Sequence, residues 1–393
     1  MNAKELMNSI NDDHPECRIA VAVTGGGTSA IGEMLRYGGS SNTVVYAHVP
    51  YAPECTAEYL GRSPDKLCSA ETARQLAMRA YHDVASTAEE GTYPVGVGAT
   101  SALGKITKER KGREHKIYVA VQNAERTTTY TLFLTAPRTR EEEEVINTLL
   151  ILHALGKGCN VKDPVVVSIS PEEYLYVKTD EGECLSSILE GHFSLGLLSD
   201  GVVQSTAIDD VRLLLPGSFN PIHEGHREMA RIASGIIGAT CHYEMSMLNA
   251  DKPPLDFTEV YLRVDKFEKS FEENERQEGE GSLLVTRFPT FLDKARHFSN
   301  ITFAVGADTV ERICDPRFYG GSQATMLAAL TEMRRLGVKF LCFARKINGL
   351  NVEAYDSGSS DFLPQVFRDM SMLVPSSVFV SGLSSTEIRK SKN

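Results

Sequence analysis

Val211-Arg-Leu-Leu-Leu215 followed by Pro216-Gly-Ser-Phe-Asn-Pro-Ile-His-Glu-Gly-His226 is the stretch that decides the fold. The run, mostly apolar, reads as a strand. It runs into a glycine-containing turn, and a helix is predicted to start near Gly225. Gly217 permits close backbone approach, and the free N–H groups of the helix start face whatever binds there. An anion is the natural guest at such a place. His223 and His226 stand three residues apart at the helix mouth, where imidazoles can donate to phosphate oxygens. In open α/β sheets, ligands bind at the carboxyl ends of strands near the point where strand order reverses.

Outward from this stretch, strand and helix signals alternate. Strands are expected at 211–215, 241–247, 282–287, 301–305, 338–344 and 377–380. Helical patterns fall around 225–238, 257–271, 323–336 and 364–372, and the Glu- and Gly-rich stretch 268–281 reads as a solvated loop. The alternation predicts an α/β domain with a parallel sheet. Ser381-Gly-Leu-Ser-Ser-Thr-Glu-Ile-Arg389 closes the chain with a second helix start. Ser384 and Glu387 have capping-box spacing, and Arg389 offers a planar fork suited to phosphate.

Together these strings, Gly-x-Phe-x-Pro-x-His-x-Gly-His and Ser-Ser-Thr-x-x-Arg, resemble the two signatures of the adenylyl- and cytidylyltransferase superfamily. Their particular form is most similar to nicotinamide or nicotinate mononucleotide adenylyltransferases. The resemblance covers about residues 208–393 and implies a Rossmann-like domain. His223, His226 and Arg389 would be the catalytic groups. Gly217, Ser218, Phe219, Gly306, Asp308, Ser384, Ser385 and Thr386 would bind ATP, and Lys252 and Arg263 the acceptor. The implied reaction joins ATP and a pyridine mononucleotide, with Mg²⁺ accompanying ATP, in NAD biosynthesis. Family members often stack a Trp on the pyridine ring; this chain has none, which leaves Phe318 or Tyr319 as substitutes. Two alternatives stay open: another phosphorylated acceptor such as phosphopantetheine, and a regulatory nucleotide-binding protein with little turnover.

The first half reads as a second α/β domain. A strand over 18–23 enters Thr24-Gly-Gly-Gly27, a second lies at 43–49, and a helix occupies 70–89. Strands at 117–121 and 127–134 can pair as a hairpin. Thr139-Arg-Glu-Glu142 has capping-box spacing, so the Glu141–Glu144 run reads as charge at a helix N-terminus and not as a metal site. That helix should stop by Gly156 or Gly158. Gly25, Gly27 and Ala30 fit a dinucleotide fingerprint, but no acidic residue ends the next strand to meet a ribose.

Thr24-Gly25-Gly26, Gly39-Ser-Ser41, Tyr51, Leu60-Gly61, Ser69-x-Glu-x-Ala73 and Ala77-Met-Arg-Ala80 occur in the order found in the CinA-like nicotinamide mononucleotide amidase domain. The resemblance spans roughly residues 5–160. That family's nucleophilic Ser falls on Ala22 and its Lys on Thr56, which implies a catalytically inactive domain. The expected organisation is 1–160 CinA-like, 161–207 a connecting β-rich segment with short strands near 165–169 and 173–177, and 208–393 nucleotidyltransferase.

Composition agrees with such an enzyme. The 393 residues are 42% hydrophobic, enough for packed cores, and Lys plus Arg (41) against Asp plus Glu (52) give a net charge of −11. An acidic balance argues against a nucleic-acid partner. The basic stretch Lys105–Lys116 is expected to be an exposed loop. No apolar run approaches a bilayer span, and the polar start resembles neither a secretory nor a transit segment. Eight scattered cysteines without a C-x-x-C pair indicate a reducing compartment and no zinc site. The expectation is a cytoplasmic protein without a membrane partner; assembly into a homo-oligomer is left open.

Overall fold

A computed structural model describes residues 1–104, 114–192, 195–199, 202–205, 211–250, 252–347, 350–352, 363–379 and 385. The chain divides into two compact units. The first comprises Met1–Ser186 with Asp251–Glu259, the second Ser187–Ala250 with Val260–Asn393.

The first unit runs α1 (Ala3–Asp13), β1 (Cys17–Thr24), α2 (Ser29–Leu35), β2 (Val44–His48), α3 (Pro53–Tyr59), α4 (Ala70–Ala85), β3 (Tyr93–Ala102), β4 (His115–Gln122), β5 (Arg126–Leu134), α5 (Arg140–Gly158) and β6 (Leu175–Glu181). Its six-stranded sheet has the order β2-β1-β3-β4-β5-β6. β1 is parallel to β2 and β3, whereas β3 through β6 pair antiparallel. The alternation of small and β-branched residues in β1 buries Ile19, Val21 and Val23 with Leu150, Ile151 and Leu155 of α5 in one core. α5 starts on the expected capping box: Thr139 and Glu142 exchange backbone and side-chain hydrogen bonds. The expected 117–134 hairpin is β4–β5, and the expected helix over 70–89 ends at Ala85.

A short helix α6 (Cys184–Glu190) leads on to β7 (Leu195–Ser199), β8 (Val202–Ser205), β9 (Leu213–Pro216), α7 (Glu224–Ile237), β10 (Cys241–Ser246), α8 (Phe257–Glu273) and β11 (Glu280–Thr286). Then follow α9 (Phe291–His297), β12 (Thr302–Gly306), α10 (Ala307–Ile313), α11 (Gln323–Arg335), β13 (Lys339–Phe343), the hairpin β14 (Arg345–Ile347) and β15 (Leu350–Val352), α12 (Gln365–Arg368) and β16 (Ser371–Val374). The eight-stranded sheet has the order β16-β13-β12-β9-β10-β11-β7-β8. Six strands, β16 through β11 in that order, are mutually parallel. Counted along the chain they read 6-5-4-1-2-3, the doubly wound nucleotide-binding order. β7 and β8 extend the sheet antiparallel beyond β11. Leu213, Leu214 and Leu215 of the central strand β9 are at most 2% exposed, which explains their unbroken apolar run.

Residues 161–207 are divided rather than forming a connecting segment: β6 completes the first sheet, and β7 and β8 join the second. No strand forms at 165–169, where Val165 instead packs into the first core. α8 extends to Glu273, into the expected 268–281 loop, and β11 begins at Glu280. The expected helix 364–372 stops at Arg368. Residues 376–378 form a turn where the expected strand 377–380 would begin, and among the described residues the last strand is Ser371–Val374. That apolar run is too short for periodicity to separate helix from strand, and pairing with β13 decides it.

Candidate functional site: a glycine turn at the switch point

The reversal of strand order lies between β9 and β12, and the turn after β9 emerges there. Phe303 of β12 is in register with Leu214 of β9; Gly306, the last residue of β12, and Gly217, the first after β9, each lie three residues beyond that pair. A Cβ on Gly217 would sit 2.7 Å from the Phe219 ring, so the tight packing of the turn on that ring requires glycine. Phe219 itself takes a left-handed backbone (φ 42°). Burial of its ring against His226, Tyr243 and Phe267 compensates for that conformation. The Asn220–Pro221 peptide bond is cis.

The turn is tied down through its carbonyl groups and one N–H. Gly217 N–H donates to the Glu244 carbonyl (2.9 Å). Arg263 of α8 donates to the Ser218 carbonyl (3.1 Å), and Lys266 Nζ to Asn220 Oδ1 (3.4 Å). Ser385 Oγ, from the second motif, donates to the Pro221 carbonyl (3.0 Å). Arg263, expected to meet the acceptor, therefore holds the loop.

His223 is the N-cap of α7, with extended backbone, and His226 is its third residue. The His223 N–H donates to His226 Nδ1 (3.3 Å), an imidazole version of the capping box, and the two rings stack at 3.7 Å. Burial, and then the neighbouring His223, pull the His226 pKa from 6.5 to about 3. His226 is thus neutral at pH 7, and because Nδ1 accepts, Nε2 carries the proton and is the donor.

Arg227, next in the motif, turns inward. It forms a two-pronged pair with Glu280 (2.9 and 2.8 Å), donates to the carbonyls of Ser270, Asn274 and Glu275, and lies over the Phe271 ring. Sequence reasoning missed it, because nothing in the string marks an Arg that will be buried in a pair. Asp308 is exposed on the first turn of α10. Lys252 is exposed in the 251–259 stretch that clusters with the first unit. Tyr319 donates its hydroxyl to the Ile313 carbonyl, and Phe318 lies under the Arg312 guanidinium. Ser384, Thr386 and Arg389, like most of the expected loop Lys105–Lys116, lie outside the described residues.

These features carry a known signature. Residues 214–391 match the Cytidylyltransferase-like family. The cytidylyltransferase-like part of the chain is a nucleotidyltransferase-type domain, and its boundaries enclose both motifs and the six parallel strands except the first residue of β9. No curated protein matches the chain. Among solved structures, the chain is similar to a competence-damaged protein (CinA) superfamily protein from Escherichia coli at 15% identity, covering 39% of this chain and 88% of that one with a TM-score of 0.32. It is also similar to the competence/damage inducible protein CihA from Agrobacterium tumefaciens (17% identity, 40% and 95% covered, TM-score 0.33). A third is the competence damage-inducible protein A (ComA) from Klebsiella pneumoniae (14% identity, 42% and 100% covered, TM-score 0.32).

The first unit has its own glycine turn after β1. Gly25 takes φ +85°, and a Cβ there would lie 2.3 Å from the Ser101 carbonyl oxygen. Gly27 N–H donates to both carboxylate oxygens of Glu144, at 2.8 Å each. A cavity of about 300 Å³ beside the turn is lined by Thr24, Tyr51, Cys68, Ser101 and Arg140, among others. Ala22 is fully buried in β1. Thr56 is also fully buried, its hydroxyl given to the Pro50 carbonyl (2.7 Å). The Glu141–Glu144 run does more than charge a helix end. Besides Glu144, buried Glu143 accepts from the Gly104 N–H (2.6 Å) and meets His115 Nδ1 (2.6 Å). Among the described residues, no helix is long and apolar enough to cross a membrane.

Proposed function

We propose that the second unit transfers the adenylyl group of ATP to the phosphate of a nicotinamide or nicotinate mononucleotide, releasing pyrophosphate, as a step of NAD biosynthesis in the cytoplasm. The observation that carries this reading is the hydrogen bond from Ser385 to the Pro221 carbonyl, across 164 residues of sequence. It joins the Ser-Ser-Thr string to the histidine loop at the switch point of a doubly wound sheet.

The chemistry asks little of the protein. The acceptor phosphate is already an anion, so no activated side-chain nucleophile is needed. Its oxygen attacks the α-phosphorus in line, the bond to the β-phosphate oxygen breaks, and that oxygen leaves on pyrophosphate. Positioning and charge stabilisation do the rest. In this reading neutral His226 donates from Nε2 to a phosphate oxygen, and His223 and the α7 N–H groups face the same anion. Phosphate charge beside His226 raises its pKa again, favouring imidazolium as negative charge develops. Gly306 gives ATP room at the adjacent strand end. Ser384, Thr386 and Arg389 are assigned to the β- and γ-phosphates by resemblance. Mg²⁺ enters as part of the ATP substrate and supplies charge neutralisation.

The acceptor is the finer question. Tyr319 spends its hydroxyl on Ile313, whereas Phe318 keeps a ring face paired with a guanidinium. Neither contact separates the two rings as substitutes for the missing Trp. Pyrophosphate release from ATP with nicotinamide mononucleotide, nicotinate mononucleotide and phosphopantetheine tests the proposal. Release with a pyridine mononucleotide is expected. Release with phosphopantetheine alone moves the acceptor class, and ATP binding without release favours a regulatory role.

A further inference from the structure

We propose that Lys294 is a positioning residue for the histidine loop, acting through Glu244; the inference rests on the function proposed above and adds to it a residue that neither motif contains. Lys294 lies in α9, 5% exposed, and its ammonium donates to Glu244 Oε1 (3.0 Å) and to the Phe288 carbonyl (2.5 Å). Glu244, 1% exposed near the carboxyl end of β10, also accepts from Thr286 Oγ1 (2.5 Å). Its backbone is in register with Pro216 of β9 and Leu284 of β11. Its carbonyl is the acceptor for Gly217 N–H, the first N–H of the loop. One residue thus presents its carboxylate to a buried cation and its carbonyl to the loop.

A buried ion pair is a poor stabilising device, because well-packed apolar residues of the same volume often serve as well or better. What the pair does supply is a fixed geometry. The carboxylate is held from α9 and from β11, so the Glu244 backbone has little freedom where it meets Gly217. Ser246, two residues on, adds no such anchor, since its hydroxyl is buried without a hydrogen-bond partner. If the pair served only to fasten α9 to the sheet, its loss would lower stability without loosening Gly217 in molecules that remain folded.

The test uses the full chain with Lys294→Met, the double variant Glu244→Gln with Lys294→Met, and Lys294→Arg. The double variant buries no unpaired charge and keeps the proposal falsifiable where the single change fails to fold. Amide exchange at Gly217 without ligand is expected to accelerate about tenfold in the folded Met variants, while the α7 interior exchanges as in wild type. ATP half-saturation is expected to rise about tenfold in the same molecules, and Lys294→Arg to retain most of both properties. Folded Met variants with wild-type Gly217 exchange and wild-type ATP binding overturn the inference. A wild-type chain that does not bind ATP overturns the functional reading instead, and Gly217 exchange then still decides whether Lys294 positions the loop.

Discussion

Both units end a buried strand in a glycine turn, and the two turns are finished in opposite ways. After β1, the Gly27 N–H is given to Glu144, a carboxylate of the same unit, and the positions to which the CinA-like resemblance would assign a nucleophile and a lysine hold Ala22 and Thr56. After β9, the Gly217 N–H goes to a backbone carbonyl and two carbonyls of the turn are tied back, by Arg263 and Ser385, while two imidazoles stand at the mouth of a helix of 14 residues. A turn whose N–H is already capped by an internal anion has less to offer an external one. A turn anchored chiefly through its carbonyls, and by no internal anion, spends less of its donor capacity on its own unit. A glycine turn after a strand is therefore an anion site only when the rest of the unit leaves the donors unspent.

The strongest way to break this comparison is His226→Ala. The reading expects adenylyl transfer to fall roughly 10²–10³-fold, about 3–4 kcal/mol, with the fold intact by circular dichroism. Near-wild-type turnover by a folded variant removes His226 from the site. In the first unit the reading expects no ammonia from nicotinamide mononucleotide. Ala22 carries a methyl group and Thr56 spends its hydroxyl on Pro50, so nothing described at those positions supplies the family's nucleophile or cation. Steady ammonia release by the purified chain contradicts that.

Much of the second unit is legible in the sequence because local pattern and topology agree there. A three-leucine core strand, a glycine turn and two histidines at helical spacing are enough to locate the switch point. Three things are not legible. The strand at 371–374 depends on pairing with β13, a long-range fact invisible in a short apolar run. The short strand expected near 173–177 forms over Leu175–Glu181, but its place in the first sheet is not readable, because β6 is an edge strand whose exposed Tyr176 and Val177 give no inward alternation. The roles of Arg227, Glu244 and Lys294 are set by burial, and a charged residue in sequence carries no mark that it will be buried in a pair. The glutamates before Val145 show the same limit: helix-end charge is readable, but the reach of Glu144 to Gly27 is not.

Glu144→Ala sharpens the comparison at intermediate size. Loss of a charge-assisted cap on Gly27 should cost about 1.5–3 kcal/mol in urea unfolding, and an unchanged midpoint means the cap is not formed. The pH dependence of folding is a second intermediate effect. The folded pKa of His226 is about 3 against 6.5 when unfolded, so between these values the unfolded chain binds the extra proton. Stability contributed by neutral His226 is complete above about pH 6.5 and declines as pH falls towards 3. His226→Phe should flatten that part of the pH profile. The smallest effect belongs to Ser385→Ala, which removes one neutral hydrogen bond and should weaken ATP about fivefold, on the order of 1 kcal/mol.

The most direct measurement is amide exchange of the full chain with and without ATP and Mg²⁺, followed in peptides covering 213–226 and 22–31. The account predicts protection in the histidine loop and no change at the Glu144-capped turn. Protection at 22–31, or none at 213–226, contradicts it.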